Sequence, residues 1–266
     1  MKEITIVPYA GLCNRLNTIV CAIEFHREHP DVIMNVYWHK YIHCNCKFSD
    51  LFLPLDDNLP QIKELHGIKN RPGTKLNCYL PDKLRSLWYD CILSPNSDAD
   101  SFERLTMGHD RVYVHKDNRF CKCVDKTNYS EYFHPQHFIQ KRIDSIVCSW
   151  PNRVVGLHIR RTDNKKSISD SPTNHFYEVI ENELSKNSNT YFYLASDDDT
   201  EKKRFRDLYG NRILFSDLTL KRYSRQGMQD AVVDLYCLAS TEKIYGSSAS
   251  TYSSFAAQIF GKELII

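Results

Sequence analysis

Cationic and polar side chains cluster in the segment HIRRTD, at positions 158–163, where an apolar, β-branched run ends. The run at positions 153–159 is typical of a buried strand, which predicts that the cluster lies at a strand end. Ligands of open α/β sheets bind at the carboxyl ends of strands. Guanidinium groups present planar forks of donors that match phosphate oxygens two at a time. Arg160 and Arg161 therefore predict a site for a phosphorylated ligand, with an ordinary charged surface loop as the alternative.

Alternating strand and helix patterns predict the frame that positions this cluster. In the second half the predicted strands are 153–159, 190–195, 213–215 and 243–245, and the predicted helices are 174–186, 200–209, 228–240 and 250–260. This alternation is typical of a doubly wound parallel sheet. Near the amino terminus, a strand at 4–7, a helix at 14–28 and a strand at 32–38 predict a βαβ unit. We predict two α/β domains, residues 1–145 and 146–266, with no topology assigned between about residues 40 and 150.

Two further strand ends in the second half carry polar residues. The segment SDDD at 196–199 follows one predicted strand, and we expect one of its acids to cap the next helix. Asp197 is predicted to accept hydrogen bonds from ribose hydroxyls or a guanine edge, with Mg²⁺ binding as another interpretation. The segment GSSASTYSS at 246–254 opens a helix with many hydroxyls and predicts an anion cradle that includes Ser250, Ser253 and Ser254. Close helix–sheet packing is the competing interpretation of these small residues.

The first strand-to-helix turn, AGLCNRL at 10–16, has a similar character. Gly11 permits close approach of the backbone to a ligand, and a helix amino terminus offers free N–H groups to an anion. Asn14 and Arg15 extend this candidate site. The alternative is structural: Gly11 makes the turn and Asn14 caps the helix.

Composition excludes several classes of function. A net charge of +2 over 266 residues argues against a broad nucleic-acid footprint. No early apolar stretch resembles a signal peptide and no run reaches the length of a membrane span, so we expect a cytoplasmic protein, with peripheral membrane contact left open. The pairs Cys44/Cys46 and Cys121/Cys123 lack the spacing typical of zinc ligands, so no metal site is predicted.

These motifs together resemble the fucosyltransferase superfamily, which holds the α1,2-, α1,6- and protein O-fucosyltransferases and a bacterial nodulation enzyme. The segment HIRRTD, the first turn with Asn-Arg and the late STYSS segment carry the resemblance. The Thr-Asp after the double arginine is most similar to the α1,6 and nodulation branch. The resemblance implies a GT-B fold, in which two Rossmann-like domains face each other across a cleft. It also implies an inverting, metal-independent transfer of fucose from GDP-fucose to a hydroxyl of a glycan acceptor, without a cofactor.

The resemblance also implies roles for individual residues. Arg160 would contact the β-phosphate of the donor, and His158 would support its guanosine or phosphate end. The remaining implied donor-binding residues are Asp197 for the nucleoside, Ser250, Ser253 and Ser254 for phosphate or base, and Gly11, Asn14 and Arg15 from the other domain. Arg161 is grouped with the donor site, although strand alternation predicts that it points to the opposite side of the sheet.

One departure from the family leaves the chemistry open. In the α1,6 enzymes a Lys and a downstream Glu follow the motif, whereas this chain has NKKSI at 164–168. Asp163 or Asp170 is then the candidate for the carboxylate that accepts the proton of the acceptor. Two other functions stay open: transfer from another nucleotide sugar, such as UDP- or GDP-linked xylose or rhamnose, and non-catalytic binding of a sugar nucleotide.

Overall fold

Parallel β-sheets form the centre of both units into which the chain divides. The computed structural model describes residues 2–65, 76, 80–93, 102, 108–120, 128–162, 164–219 and 221–266. The first unit comprises residues 1–127, 131–136 and 221–228, and the second comprises residues 128–130, 137–220 and 229–266. Within the described ranges, each unit holds one five-stranded sheet whose neighbouring strands all pair in parallel. The predicted α/β class with parallel strands is confirmed.

The predicted βαβ unit opens the first sheet. It consists of β1 Glu3–Ile6, α1 Leu12–Glu28 and β2 Ile33–Trp38. Strands β1 and β2 pair in parallel, with Ile4 opposite Met34. Both of these residues are buried, so apolar area is removed from water where the two strands pair.

Short strands that the sequence pattern does not predict complete the first sheet. They are β3 Ile62–Glu64, β4 Cys91–Leu93 and β5 Arg111–Val114, and the short helix α2 Asp82–Arg85 precedes β4. The strand order is β3-β2-β1-β5-β4. Strand β1 therefore lies between β2 and β5, and the carboxyl ends of these three strands are neighbours.

From residue 154 onward the predicted strands and helices are present, and the structure adds helices at His137–Val147 and Lys165–Asp170 and a strand at Leu264–Ile265 that the sequence pattern did not predict. The strands are β6 Val154–Ile159, β7 Tyr191–Ser196, β8 Ile213–Leu214, β9 Ile244–Gly246 and β10 Leu264–Ile265. The helices are α3 His137–Val147, α4 Lys165–Asp170, α5 Thr173–Lys186, α6 Asp199–Tyr209, α7 Arg225–Ala239 and α8 Thr251–Ile259. The strand order is β10-β9-β6-β7-β8, so β6 lies between β9 and β7.

Side chains of β6 alternate between two packed faces. Val155, Leu157 and Ile159 belong to a core cluster with Phe176 of α5 and Phe205 of α6. On the other face the strand approaches α7 closely. A Cβ atom at position 156 would lie 2.8 Å from Leu238 Cδ1, so this contact requires glycine. The next residue on that face is His158, which places the candidate site beside α7 and α8.

Candidate functional site

Three polar loops leave the carboxyl ends of adjacent strands in the second unit. Residues 160–162 follow β6, residues 197–198 follow β7, and residues 247–250 follow β9. The parallel register sets His158 opposite both Ala195 and Gly246, so the three strands end at the same level. The predicted convergence of these loops at one edge of one sheet is confirmed. This is the edge at which open α/β sheets bind ligands.

Arg160 is held in place by both neighbouring loops. Its backbone N–H donates to Ser247 Oγ at 3.0 Å, and that hydroxyl donates in turn to the carbonyl oxygen of His158 at 3.0 Å. Its Nε lies 3.1 Å from Asp197 Oδ2, and its side chain is 17% exposed. The Asp197 contact uses one of the five N–H donors of the guanidinium. The arginine is thus a fixed positive charge at the strand edge, suited to an anionic ligand.

Asp197 ties the loop after β6 to the loop after β7. Its Oδ1 accepts the backbone N–H of Arg161 at 2.8 Å, and its Oδ2 accepts the hydroxyl of Thr162 at 2.6 Å. Together with the Arg160 ion pair, these bonds connect the loop after β7 to three consecutive residues of the loop after β6. A contact between Asp197 and a nucleoside stays a prediction. The neighbouring Asp198 accepts the N–H of Thr200 at 2.7 Å, which confirms that one of these acids caps α6.

Arg161 points to the other side of the sheet, as strand alternation predicts. Its Nη2 donates to the carbonyl of Ser171 at 3.0 Å and to Thr173 Oγ1 at 3.1 Å. Its Nε lies 4.0 Å from Glu201 Oε1, and the side chain is 8% exposed. Arg161 therefore fastens the loop to α5 and α6. Its predicted contact with the donor gains no support from this placement.

His158 is buried under Tyr252 of α8. The two rings stack with centroids 5.0 Å apart and planes inclined by 30°. The Tyr252 hydroxyl lies 3.0 Å from Asp234 Oδ2, and Tyr193 of β7 donates to Asp234 Oδ1 at 2.8 Å. Burial raises the pKa of Asp234 above its ordinary value, although the hydrogen bonds from the two tyrosines act in the opposite direction. These contacts hold the imidazole of His158 in place, two residues before Arg160.

Stability should fall as pH drops below about 6.5, because His158 stays neutral in the folded protein. Burial, reinforced by the charge of Arg160, lowers the pKa of His158 to about 3. The unfolded chain has the ordinary value near 6.5, so protons favour the unfolded state between these two values. One such histidine contributes a slope of about 1.4 kcal/mol per pH unit within that window.

Urea unfolding at pH 7 and pH 5 measures this effect. We expect His158→Gln to lose less stability between the two values than the wild type does. The exposed His134, replaced in the same way, serves as the control and should keep the wild-type difference. An equal pH dependence in His158→Gln and wild type would contradict the neutral, buried imidazole.

The hydroxyl-rich loop after β9 divides into packing and site residues. Ser253 is fully buried, and a Cβ atom at position 246 would lie 2.6 Å from its Oγ. This residue thus follows the packing interpretation. Ser250 precedes α8 and makes no side-chain capping bond, and the Oγ of Ser254 donates to the Thr251 carbonyl at 3.1 Å. Both lie at the helix end that faces the strand edge, so their predicted contacts with phosphate or base stay open.

In the turn after β1, Gly11 stands at the position that caps α1, and its contact with a ligand stays a prediction. Gly11 has an extended φ of −74°, and a Cβ atom added there meets nothing within 4 Å. The positive φ of this turn, 63°, belongs to Ala10. Neither the turn nor packing therefore requires glycine at position 11. Asn14 does not cap α1, because Gly11 occupies the capping position.

Arg15 stabilises the same turn through buried hydrogen bonds. It is fully buried, and its Nε donates to the Ala10 carbonyl at 2.9 Å. Its Nη1 donates to the His39 carbonyl at 2.6 Å, and the guanidinium lies 4.9 Å from the Trp38 ring centroid. These contacts connect α1 to the end of β2. In this arrangement Arg15 supports the turn, and its predicted contact with a donor stays untested.

The structure describes only one of the two candidate bases. Asp163 lies outside the described residues, between Thr162 and Asn164. Asp170 is exposed at the end of α4, and its Oδ2 lies 3.5 Å from Ser248 Oγ in the loop after β9. Asp170 therefore lies at the same strand edge as Arg160.

Neither a metal cluster nor a membrane span is found in the described part of the chain. Among those residues, no group of three or more His, Cys, Asp and Glu side chains is arranged to hold a metal ion. No helix among them is both long and apolar enough to cross a membrane. Cys121 and Cys123 lie outside the described residues.

Three residues of the site were not predicted individually from the sequence. Ser247 lies in the hydroxyl-rich segment that the sequence singled out, and its position directly after β9 was the available signal. Tyr252 lies in the same segment. Asp234 is distant in sequence and reaches the site only through the packing of α7 on β7, so no local pattern marks it.

Solved fucosyltransferase structures share this fold. A mutant of Arabidopsis thaliana FUT1 in complex with GDP matches 99% of this chain and 69% of its own at a TM-score of 0.66 and 13% identity. The α-1,6-fucosyltransferase NodZ, soaked with GDP-fucose, matches 98% of this chain and 93% of its own at a TM-score of 0.63 and 14% identity. POFUT1 in complex with GDP matches 98% of this chain and 96% of its own at a TM-score of 0.56 and 11% identity. No protein-family model and no curated protein sequence matches the chain.

Proposed function

We propose that this protein is an inverting, metal-independent glycosyltransferase that moves fucose from GDP-fucose to a hydroxyl of a glycan acceptor. The observation that carries the proposal is the fixed guanidinium of Arg160 at the edge of three parallel strands, within a fold that known fucosyltransferases share. The neighbouring structures named with GDP or GDP-fucose support a guanine-nucleotide donor. We further propose that the two units are the two Rossmann-like domains of a GT-B enzyme, facing each other across a cleft.

In the proposed reaction an acceptor hydroxyl attacks the anomeric carbon of fucose. The bond between that carbon and the β-phosphate oxygen breaks, and GDP leaves with additional negative charge on its terminal phosphate. Arg160 stabilises this charge as a preorganised donor that needs no reorganisation during the reaction. The amino terminus of α8, near Ser250 and Ser254, adds backbone N–H donors and the positive end of the helix dipole.

Other residues act by holding these groups in position. Asp197 orients the guanidinium of Arg160 through the 3.1 Å contact with its Nε. Arg161 fastens the loop to α5, and Tyr252 fixes the imidazole of His158. Such contacts matter because misplacement of a reacting group by about 1 Å can lower a rate about a hundredfold. We propose Asp163 as the base that accepts the acceptor proton, with Asp170 as the second candidate.

The anomer of the released sugar tests the proposal without a known acceptor. Water can replace the acceptor in a slow hydrolysis, so purified protein is incubated with GDP-fucose and EDTA and followed by NMR. We expect free fucose to appear first as the anomer opposite to that of the donor linkage. Turnover of a UDP-sugar in place of GDP-fucose would contradict the donor assignment, and retention of the anomer would contradict the inverting mechanism.

A further inference from the structure

A second set of strand ends, in the first unit, carries aromatic and imidazole side chains. Tyr9 follows β1, Tyr41 and His43 follow β2, and His115 follows β5. These strands are adjacent in the order β2-β1-β5, so their carboxyl ends are neighbours. We call Tyr9, Tyr41, His43 and His115 the aromatic wall. It occupies the edge of its sheet that corresponds to the Arg160 edge of the other sheet.

The members of the aromatic wall touch one another in a continuous row. The Tyr9 hydroxyl donates to the Tyr41 hydroxyl at 3.0 Å, and their ring centroids are 5.1 Å apart. Tyr9 meets His115 edge to face at 4.8 Å, and Tyr41 meets His43 at 5.2 Å. His43 is exposed and the other three are half-buried. The row is thus a partly open surface of rings and hydroxyls.

Backbone contacts hold the aromatic wall in place. Tyr41 and Cys44 close a tight turn, in which the Cys44 N–H donates to the Tyr41 carbonyl at 2.8 Å. The Tyr9 N–H donates to the Lys116 carbonyl at 2.8 Å, which joins the ends of β1 and β5. Arg15 ties the end of β2 to α1 through the carbonyl of His39. A surface fixed in this way binds a ligand without first losing conformational entropy.

The rings and hydroxyls of the aromatic wall suit an uncharged ligand. Burial, with the nearby charge of Arg85, lowers the pKa of His115 to about 4, so its imidazole is neutral at physiological pH. The neighbouring cations Arg15, Arg85 and Lys116 are 0%, 2% and 7% exposed, whereas Lys40, which precedes Tyr41, is exposed. The aromatic wall therefore offers ring faces, tyrosine hydroxyls and the neutral imidazole of His115.

We propose that the aromatic wall binds a neutral pyranose ring of the glycan acceptor. A pyranose has an apolar face of C–H groups that packs on an aromatic ring and a rim of hydroxyls that hydrogen-bonds to tyrosine and imidazole. Tyrosine offers both kinds of contact because its ring is apolar and its hydroxyl is polar. The inference rests on the proposed function, in which a glycan acceptor binds the protein and Arg160 of the other unit contacts the donor phosphate.

Saturation-transfer NMR with neutral trisaccharides tests this inference directly. The probes are trisaccharides of glucose, galactose, mannose and N-acetylglucosamine, each at millimolar concentration with the full-length protein. We expect saturation transfer from the wild type to the ring C–H protons of at least one of them, and at least tenfold weaker binding in Tyr41→Leu. Tyr41→Phe keeps the ring and should retain most of the binding. Tyr223→Leu, which removes an exposed tyrosine of the same unit, is the matched control and should bind as the wild type does.

Two outcomes would overturn the inference. One is the absence of saturation transfer to every trisaccharide, and the other is equal binding by wild type and Tyr41→Leu. Calorimetric titration with GDP separates these outcomes from failure of the proposed function. If GDP binds but no trisaccharide does, only the acceptor assignment is wrong. If trisaccharide binding depends on Tyr41 but GDP does not bind, the surface binds sugar and the transferase proposal is wrong. Thermal melting of each variant shows whether Tyr41→Leu folds, and His43→Ala provides a second exposed site if it does not.

Discussion

Replacement of Arg160 by alanine is expected to lower the kcat for GDP-fucose turnover by about a hundredfold or more. The guanidinium is the cationic group that the structure fixes between two loops at the strand edge, with Nε 3.1 Å from Asp197. Removing a preorganised donor raises the energy of the transition state most, because charge on the leaving phosphate is greatest there. Steady-state kinetics of GDP release measures the effect.

Two further variants make this result specific. Arg160→Lys keeps the charge but loses the planar fork, so we expect it to recover only part of the lost activity. Arg111 lies at the amino end of β5 with a side chain that is 55% exposed, and Arg111→Ala should leave kcat unchanged. Near-wild-type turnover by a folded Arg160→Ala protein would remove Arg160 from the catalytic role.

Loss of the Glu183 carboxylate is expected to produce the largest change in stability, about 3–5 kcal/mol for Glu183→Ala. The side chain is fully buried at the amino ends of β6 and β9, opposite to the candidate site. It lies 3.1 Å from Arg153 Nη2, 2.9 Å from Lys243 Nζ and 2.9 Å from the Tyr245 hydroxyl. Without the carboxylate, Arg153 and Lys243 lose their shared partner, so the free energy of unfolding falls. The candidate functional site lies at the opposite ends of these strands and keeps its residues.

The same carboxylate gives stability a second pH dependence, at lower pH than that of His158. Burial raises the pKa of Glu183, but hydrogen bonds from Lys243, Lys186 and Tyr245 outweigh it and lower the pKa to about 2. The unfolded value is near 4.3, so the contribution is complete above that pH and is lost as pH falls toward 2. The difference corresponds to about 3 kcal/mol.

Urea unfolding of Glu183→Ala and of Glu178→Gln, an exposed residue of the same helix, checks both effects at pH 7. The Glu178 variant should match the wild type within about 0.5 kcal/mol. Acid titration should then show a weaker loss of stability between pH 4.5 and 2 in Glu183→Ala than in wild type. A Glu183→Ala protein as stable as the wild type would contradict the buried network.

Periodicity predicted the second unit well because its main helices and the strands β6 and β7 show a clear local pattern. Two of its helices, α6 and α8, end close to a glycine with positive φ: 56° at Gly210 and 61° at Gly261, conformations that other residues adopt at a cost. The buried run of β6 and the polar residues after it predicted the strand edge directly. Parallel pairing brings the loops after β6, β7 and β9 together. This proximity could be predicted only from the fold class, because the three loops are distant in sequence.

The rest of the fold and site depends on contacts distant in sequence. Strands β3 and β4 have three residues each, too few to show a period of two. The pairing of Tyr193 and Tyr252 with Asp234 joins three elements and follows no local motif. Strand alternation predicted that Arg161 points away from Arg160, but it did not predict which residues Arg161 contacts. Only the packing on α5 and α6 shows that Arg161 is a structural partner of Ser171 and Thr173.

Calorimetric titration with GDP and UDP, in the presence of EDTA, tests the central claim most directly. We predict that the protein binds GDP without a divalent metal, prefers it to UDP by at least about tenfold, and loses affinity in Arg160→Ala. Such a result would establish a metal-free guanine-nucleotide site that contains Arg160. A preference for UDP would contradict the fucose donor, and no binding of either nucleotide would contradict the assignment of this strand edge as a donor site.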